Sequence, residues 1–330
     1  MKNKSRALLA VLSLAGLFGG FTPALGQDSA DYPSRPIRIL VGSAPGGFPD
    51  TMARLFGEQI GRRLKQTVTI ENRPGAGTAI VSQTVARAKP DGYMLLVADS
   101  SMWAISPHVY KSWPVHSIDD FAPISLLGRA ANFLALSTHM PVPTDLKAVI
   151  AHLKANPDKY NFGSSGIGSM HHLTFEIFMA RTGVKLQHVP FKGTTMVLGA
   201  LAGGEIGLAF QSASQLPGFV RQGKARVLAV SMARRSPAMP EVPTLAELGI
   251  EGMDLPGYIG LLAPKDTPQA IISMLHGAVI AAIGDPDLLR RLEGIGVEPS
   301  GATPAETVEW MRKETAIFAR AVKDAGIQPE

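Results

Sequence analysis

Apolar positions along this chain fall into two alternating rhythms. Apolar runs of strand length at 37–41, 68–71 and 93–98 alternate with helix-period segments. Across 51–64, Met52, Leu55, Phe56, Ile60 and Leu64 share one face, and Ile80, Val81 and Val85 mark a helix after a loop at 72–77. The tetrad Lys89, Pro90, Asp91 and Gly92 announces the third strand as a turn. This βαβαβ order predicts a parallel sheet covered by helices. The rhythm restarts after Ser137, with helices at 146–153, 170–181 and 196–201 and strands at 161–163, 186–190, 206–210 and 227–230, a second α/β unit. One more strand follows at 258–263, then helices opening at Pro268, Pro286 and Pro304 behind the cap residues Thr267, Asp285 and Thr303. Glu306 completes a capping box with Thr303. Terminal helices of this kind return to pack on the first unit.

The first segment has a different logic. Lys2, Lys4 and Arg6 precede an apolar run at 7–21, and Ala24 and Gly26 supply small residues at the −3/−1 positions of a cleavage site before Gln27. That order is a secretory signal peptide. The run is about 15 residues long and broken by Gly16, Gly19 and Gly20, whereas a spanning helix needs about 20. The chain has no cysteine, so it has neither the anchoring residue of a lipoprotein nor disulfides nor a thiolate metal site. Stability must then come from a hydrophobic core, which about 300 residues in two domains can build. The formal charge is +5, three units of it in the leader, and no basic stretch is interleaved with aromatics. Nucleic acid is not the expected partner.

Two loops carry the candidate chemistry. Ala44, Pro45, Gly46, Gly47, Phe48 and Asp50 follow the first strand and open a helix with Asp50 at its N-cap. Ser164, Ser165, Gly166 and Gly168 occupy the same place in the second unit. Strand C-termini of a parallel sheet form a ligand crevice, glycines let backbone approach a ligand, and helix N-termini offer N–H groups to an anion. Two such ends, one from each domain, suit a carboxylate; each dipole contributes roughly 0.3–2 kcal/mol and neutral donors must add the rest. Neither loop fits a dinucleotide or Walker pattern. A nucleophile elbow fails because Ile167 stands where its second glycine belongs. Adjacent His171 and His172 point about 100° apart on a helix and do not chelate one metal together, and the spacing of His172 and Glu176 is more simply helix packing than metal ligation. Aromatics are only 6% of the chain, so Phe48 and Trp103, on loops after strands, are read as walls for a flat or apolar ligand body.

The segments YPSRPIRILV, APGGFPD, ENRPGAG, KPDGYMLL, FAPISLL, GSSGIGSMHHL, HVPFKG and LLAPKDTP, in this order, resemble the substrate-binding receptors of tripartite tricarboxylate transporters, the Bug receptors. The resemblance spans nearly the whole mature chain. It implies an α/β two-domain periplasmic-binding-protein fold with a ligand cleft between the domains and two crossing strands near 124–137 and 254–263. The expected division is 1–26 signal peptide, 27–132 and 254–330 the first domain, and 133–253 the second. It implies a monomeric periplasmic receptor with neither catalysis nor cofactor nor metal, which delivers a small carboxylate to integral membrane permease subunits. The backbone at 44–47 and 164–168 would hold the carboxylate, with Asp50 and the hydroxyl pair Ser100 and Ser101 beside it. Two departures stand out: Phe48 and Pro49 replace a small residue after the glycines, and Gln211 stands where members often carry an aspartate. The first suggests a ligand ring and the second argues against an amino group. Competing readings are a receptor that presents its ligand to a sensor kinase and, from another class, an α/β esterase or acyltransferase, which lacks its elbow.

Intact-mass analysis of the exported protein should find a chain that begins at or within a few residues of Gln27 and stays in solution without detergent. A product that retains the apolar run at 7–21 would contradict the leader assignment.

Overall fold

Apolar strands flanked by helices pair in parallel, because crossovers of this kind leave both faces of the sheet covered. In this computed structural model, β1 (Ile37–Val41) lies between β2 (Val68–Asn72) and β3 (Met94–Asp99), parallel to both. The crossovers are α1 (Phe48–Leu64) and α2 (Ala79–Ala86). The structure describes residues 31–330 except 75–77, 116–117, 214–215, 325 and 330. The signal peptide and its cleavage site before Gln27 lie outside the described residues, as does part of the 72–77 loop. Residues 33–330 form one compact unit, which contains every element named here.

After β3 come a π-helical turn (Ser101–Ile105) and α3 (Ser106–Val109), then β4 (Phe121–Ala130). A single residue, Ala131, separates β4 from β5 (Asn132–Ser137), which belongs to a different sheet. The second sheet is completed by β6 (Asn161–Ser164), β7 (Gln187–Pro190), β8 (Leu208–Ser212) and β9 (Ala225–Val230), in the order β7-β6-β8-β5-β9. Its helices are α4 (Leu146–Ala155), α5 (Met170–Thr182), α6 (Thr194–Gly203) and α7 (Leu216–Arg221). The chain then returns through β10 (Gly257–Pro264) to the first sheet, followed by α8 (Gln269–Ile283), α9 (Pro286–Gly294), β11 (Val297–Pro299) and α10 (Pro304–Asp324). The first sheet has the order β11-β4-β10-β3-β1-β2. The parallel sheet expected of 37–98 is present in β1, β2 and β3, and antiparallel strands extend it. β10 runs antiparallel to β3 and β4, and β5 runs antiparallel to β8 and β9, because these strands enter from the other sheet rather than through a helical crossover.

The two passages between sheets are fastened to each other. Asn132 Nδ2 donates to the Leu255 carbonyl at 2.9 Å, Ser231 N–H donates to the Asn132 carbonyl at 2.7 Å, and Ser231 Oγ donates to the Met253 carbonyl at 2.6 Å. Among the described residues no single helix is long and apolar enough to cross a membrane.

The terminal helices return as expected: α8 packs on α1 and β4, and α10 packs on β4 and the π-helical turn. A buried acid fixes the second contact. Glu314 on α10 accepts from Ser100 Oγ at 2.6 Å and from the Trp103 indole N–H at 2.6 Å, while Tyr258 N–H donates to Ser100 Oγ at 3.0 Å. Burial pushes the Glu314 carboxyl up to about 8, against the two hydrogen bonds, and the neighbouring Asp99 charge raises it further. The folded state therefore binds this proton more tightly than the unfolded chain does. The associated stability is fully present below pH 4.5 and is lost as pH rises through about 8. Thermal melts from about pH 5 to pH 9 should show that decline in the wild type and a flatter profile in Glu314→Gln, which has no charge to bury. Parallel profiles would rule out Glu314 as the titrating group.

Candidate functional site

Both glycine loops leave a central strand and open the helix that follows. β1 and β3 are parallel neighbours, so the 42–47 loop and the turn after β3 emerge at one edge of the first sheet. The second loop meets that turn: Met170 N–H donates to Ser101 Oγ at 3.0 Å, and Tyr110 Oη donates to the Ile167 carbonyl at 2.8 Å. Gly168, at φ +72°, lies so close that a Cβ would approach Val109 Cγ2 to 2.7 Å. The topology thus brings Ala44, Pro45, Gly46, Gly47 and Phe48 to the same edge of the first sheet as the turn that carries the second loop.

In the first loop the helix begins earlier than the apolar pattern implies. Pro49 fits the first turn, where its missing N–H costs nothing, and Gly47 is the N-cap. Asp50 is therefore inside the helix rather than at its cap, and its carboxylate reaches back. It accepts from Gly46 N–H at 2.8 Å, from Asn72 Nδ2 at 2.9 Å and from Arg54 Nε at 3.0 Å. Burial alone would raise this carboxyl, but the bonds from Arg54, Gly46 and Asn72 hold it below its usual range. Gly46 adopts φ +79°, which suits glycine, and Gly47 N–H donates to the Ala44 carbonyl at 3.1 Å. Asp50 shapes the loop from inside at 2% exposure. Phe48, at 9%, is the aromatic side chain of this loop.

In the second loop Ser164 is buried, and its Oγ donates to the Gly166 carbonyl at 3.0 Å and accepts from Gly166 N–H at 3.2 Å. The same oxygen meets His188 Nε2 at 2.7 Å. Ser165 Oγ lies 3.2 Å from His171 Nδ1, and Gly168 N–H donates to His172 Nδ1 at 3.4 Å. Burial pushes His171 down to about 4, and burial together with the facing His172 does the same to His188. Sequence reasoning missed the part played by His188, which it read as a strand residue; its imidazole is placed by the β6–β7 pairing. It also missed Asn72 and Arg54, which meet Asp50 only once β2 lies beside β1.

Two expected contacts are corrected. Trp103 is 1% exposed, inside the main core cluster and tied to Glu314, so it is not a wall of the crevice. Ser100 is fully buried in the same knot, and only its neighbour Ser101 reaches the second loop. Both follow from the π-helical turn, which folds the segment after β3 under α10. Gln211 is 1% exposed on β8, and among the described residues its side-chain Nε2 has no hydrogen-bond partner; Ser43 Oγ and Thr78 Oγ1 are likewise buried without a partner among them. Such donors cost about 1–3 kcal/mol each, so these three polar atoms near strand ends are candidates for ligand or water contact. A hollow of about 600 Å³ lined by Arg129, Tyr258, Glu298 and Trp310 lies elsewhere, against α10, and neither glycine loop lines it. No group of three metal-ligating side chains occurs among the described residues.

Residues 52–327 match the model of the tripartite tricarboxylate transporter family receptor. Protein BugT of Bordetella pertussis is 32% identical over 321 residues, 97% of this chain and 97% of that protein. Among solved structures, the periplasmic binding protein BugD superposes with a TM-score of 0.85 at 30% identity, over 91% of this chain and 100% of that one. A protein of R. palustris solved with adipate gives 0.87 at 31% identity, over 91% and 100%. MatC of Rhodopseudomonas palustris, with bound malate, gives 0.82 at 28%, over 88% and 100%.

Removing the Asp50 carboxylate would take its hydrogen bonds from Gly46 N–H, Arg54 and one of the two that Asn72 Nδ2 makes, the other going to the Ser43 carbonyl. Asp50→Ala should therefore destabilise the fold by about 1–3 kcal/mol in chemical denaturation. An unchanged midpoint would show that the loop holds its shape without it.

Proposed function

The chain belongs to the family of tripartite tricarboxylate transporter receptors, and from that premise we propose that it captures a small carboxylate in the periplasm and hands it to the permease subunits of a tripartite transporter. It is a solute-binding protein of the Bug type and not an enzyme. The observation that carries the carboxylate reading is the pair of glycine loops, each opening a helix, with the charged side chains around the first loop already spent. Arg54 is paired with Asp50, and Arg38 and Arg73 with Glu71. An anion held there would meet hydroxyls and helix-start dipoles rather than a guanidinium, because the N–H groups of Gly46, Gly47, Gly166 and Gly168 already donate within the chain. That adipate and malate occupy two structural neighbours supports the same chemistry.

In this reading the first sheet with its helices, 27–132 and 254–330, and the second, 133–253, act as two domains that close on the ligand about the fastened passages at Asn132 and Ser231. Ser165, Gly166 and Gly168 grip from one side, Ala44 to Phe48 from the other, and Gln211 offers an uncharged donor where an acid would have selected an ammonium group. Phe48 rests against the ligand body. With Trp103 withdrawn into the core, one ring remains to favour a flat or apolar ligand, a preference of roughly 0.5–1.5 kcal/mol. The receptor works as a monomer.

Calorimetry with adipate, malate and benzoate tests the proposal. At least one should bind, and a ligand at about 100 times its dissociation constant should stabilise the protein by roughly 2.7 kcal/mol. Phe48→Ala should weaken benzoate or adipate more than malate. Loss of the same factor for all three would remove Phe48 as a selector, and no binding across a wider panel of mono-, di- and tricarboxylates would sink the carboxylate assignment.

A further inference from the structure

His172 on α5 and His188 on β7 stack face to face, with ring centroids 4.1 Å apart and planes 17° apart. Phe162 on β6 continues the stack 4.8 Å from His188. The outer nitrogens of the pair end on the second glycine loop. His172 Nδ1 accepts from Gly168 N–H, so its proton sits on Nε2, facing Glu176 Oε1 at 3.5 Å. With the Ser164 Oγ proton on the Gly166 carbonyl, His188 Nε2 is the donor in the 2.7 Å contact. Each ring thus has one nitrogen bonded to the second loop.

We propose that His172 and His188 are the positioning residues of the second ligand loop, and that His188 makes capture proton-coupled: the loop holds its shape only while the His188 ring is uncharged. A second proton on His188 would place a charge against the face of His172, within an aromatic stack. Glu176, from α5, touches the outer edge of His172; His171, on the same helix, turns to Ser165; β6 contributes only Phe162 and the uncharged Ser164. Glu176 meets His172, so it is not the partner of a charge on His188. Acid therefore drives the loop out of its gripping shape. The depressed value of His188 agrees in sign: neutral-ring stability is complete above about 6.5 and declines as pH falls toward about 4. The consequence for ligand release rests on the carboxylate-receptor reading, whereas the loop's own response to acid does not.

The test uses the ligand-free protein first. Amide exchange protection of Gly166 and Gly168, corrected for intrinsic rates, should fall about tenfold or more between about pH 7.5 and pH 5 in the wild type. The double variant His172→Asn and His188→Gln keeps an acceptor for Gly168 and a donor for Ser164 without a titrating ring, and its protection should stay level. His172→Phe with His188→Phe keeps the stack but loses both bonds, and should be unprotected at either pH. Adipate affinity should follow the same three patterns. An Asn/Gln variant with the wild-type pH response, or a Phe/Phe variant as protected as the wild type, would overturn the proposal. A failure of adipate to bind the wild type at any pH would count against the carboxylate reading, and the exchange data would still decide this one.

Discussion

β1 has parallel partners on both sides, and so does β6. A parallel strand cannot turn back directly on its neighbour; it must cross over through a helix, which leaves every loop that follows these strands on one edge. The glycine segments, the turn that swallows Trp103 and the helix starts are where they are because of this constraint. The antiparallel strands β4, β5 and β10 complete the sheets without disturbing it. They carry the chain between sheets and leave the loop edge to the crossovers.

Charge is handled with economy at that edge. Around the first loop Asp50 pairs with Arg54 while Glu71 serves both Arg38 and Arg73, which leaves one positive charge in excess, and the second loop is underpinned by stacked imidazoles. Buried carboxylates elsewhere follow the same rule, since Glu314 is kept protonated by its surroundings. What remains to attract an anion is that small excess and the dipoles of the helix starts, each weak but held in place because the side chains behind the loops are bonded to them.

The repeating βαβ units, both glycine loops and the three terminal helices were legible in the sequence, because apolar period, turn residues and proline at helix starts are local signals. The failures were contacts made across long stretches of chain. The segment after β3 reads as an exposed loop with a hydroxyl pair and a tryptophan; nothing local shows that Glu314, 211 residues from Trp103, will bury it. β11 is three residues long and exists only because β4 is there to pair with. Asp50 sits where a cap is expected, but Pro49 makes a better first turn, and the carboxylate then finds Gly46 and Asn72. His188 is unremarkable in a strand until β6 lines it up with Ser164.

The order of strands along the chain has a consequence for assembly. The second sheet is built from one uninterrupted stretch, Asn132 to Val230, whereas the first waits for β10 and β11 from the far end. A chain that emerges N-terminus first meets all the partners of β6 and β8 while β3 and β4 still lack the strand that lies between them. The half made first by translation is thus the half finished last. Until residue 264 arrives, the unpaired flanks of β3 and β4 are the surfaces most in need of protection from neighbouring chains.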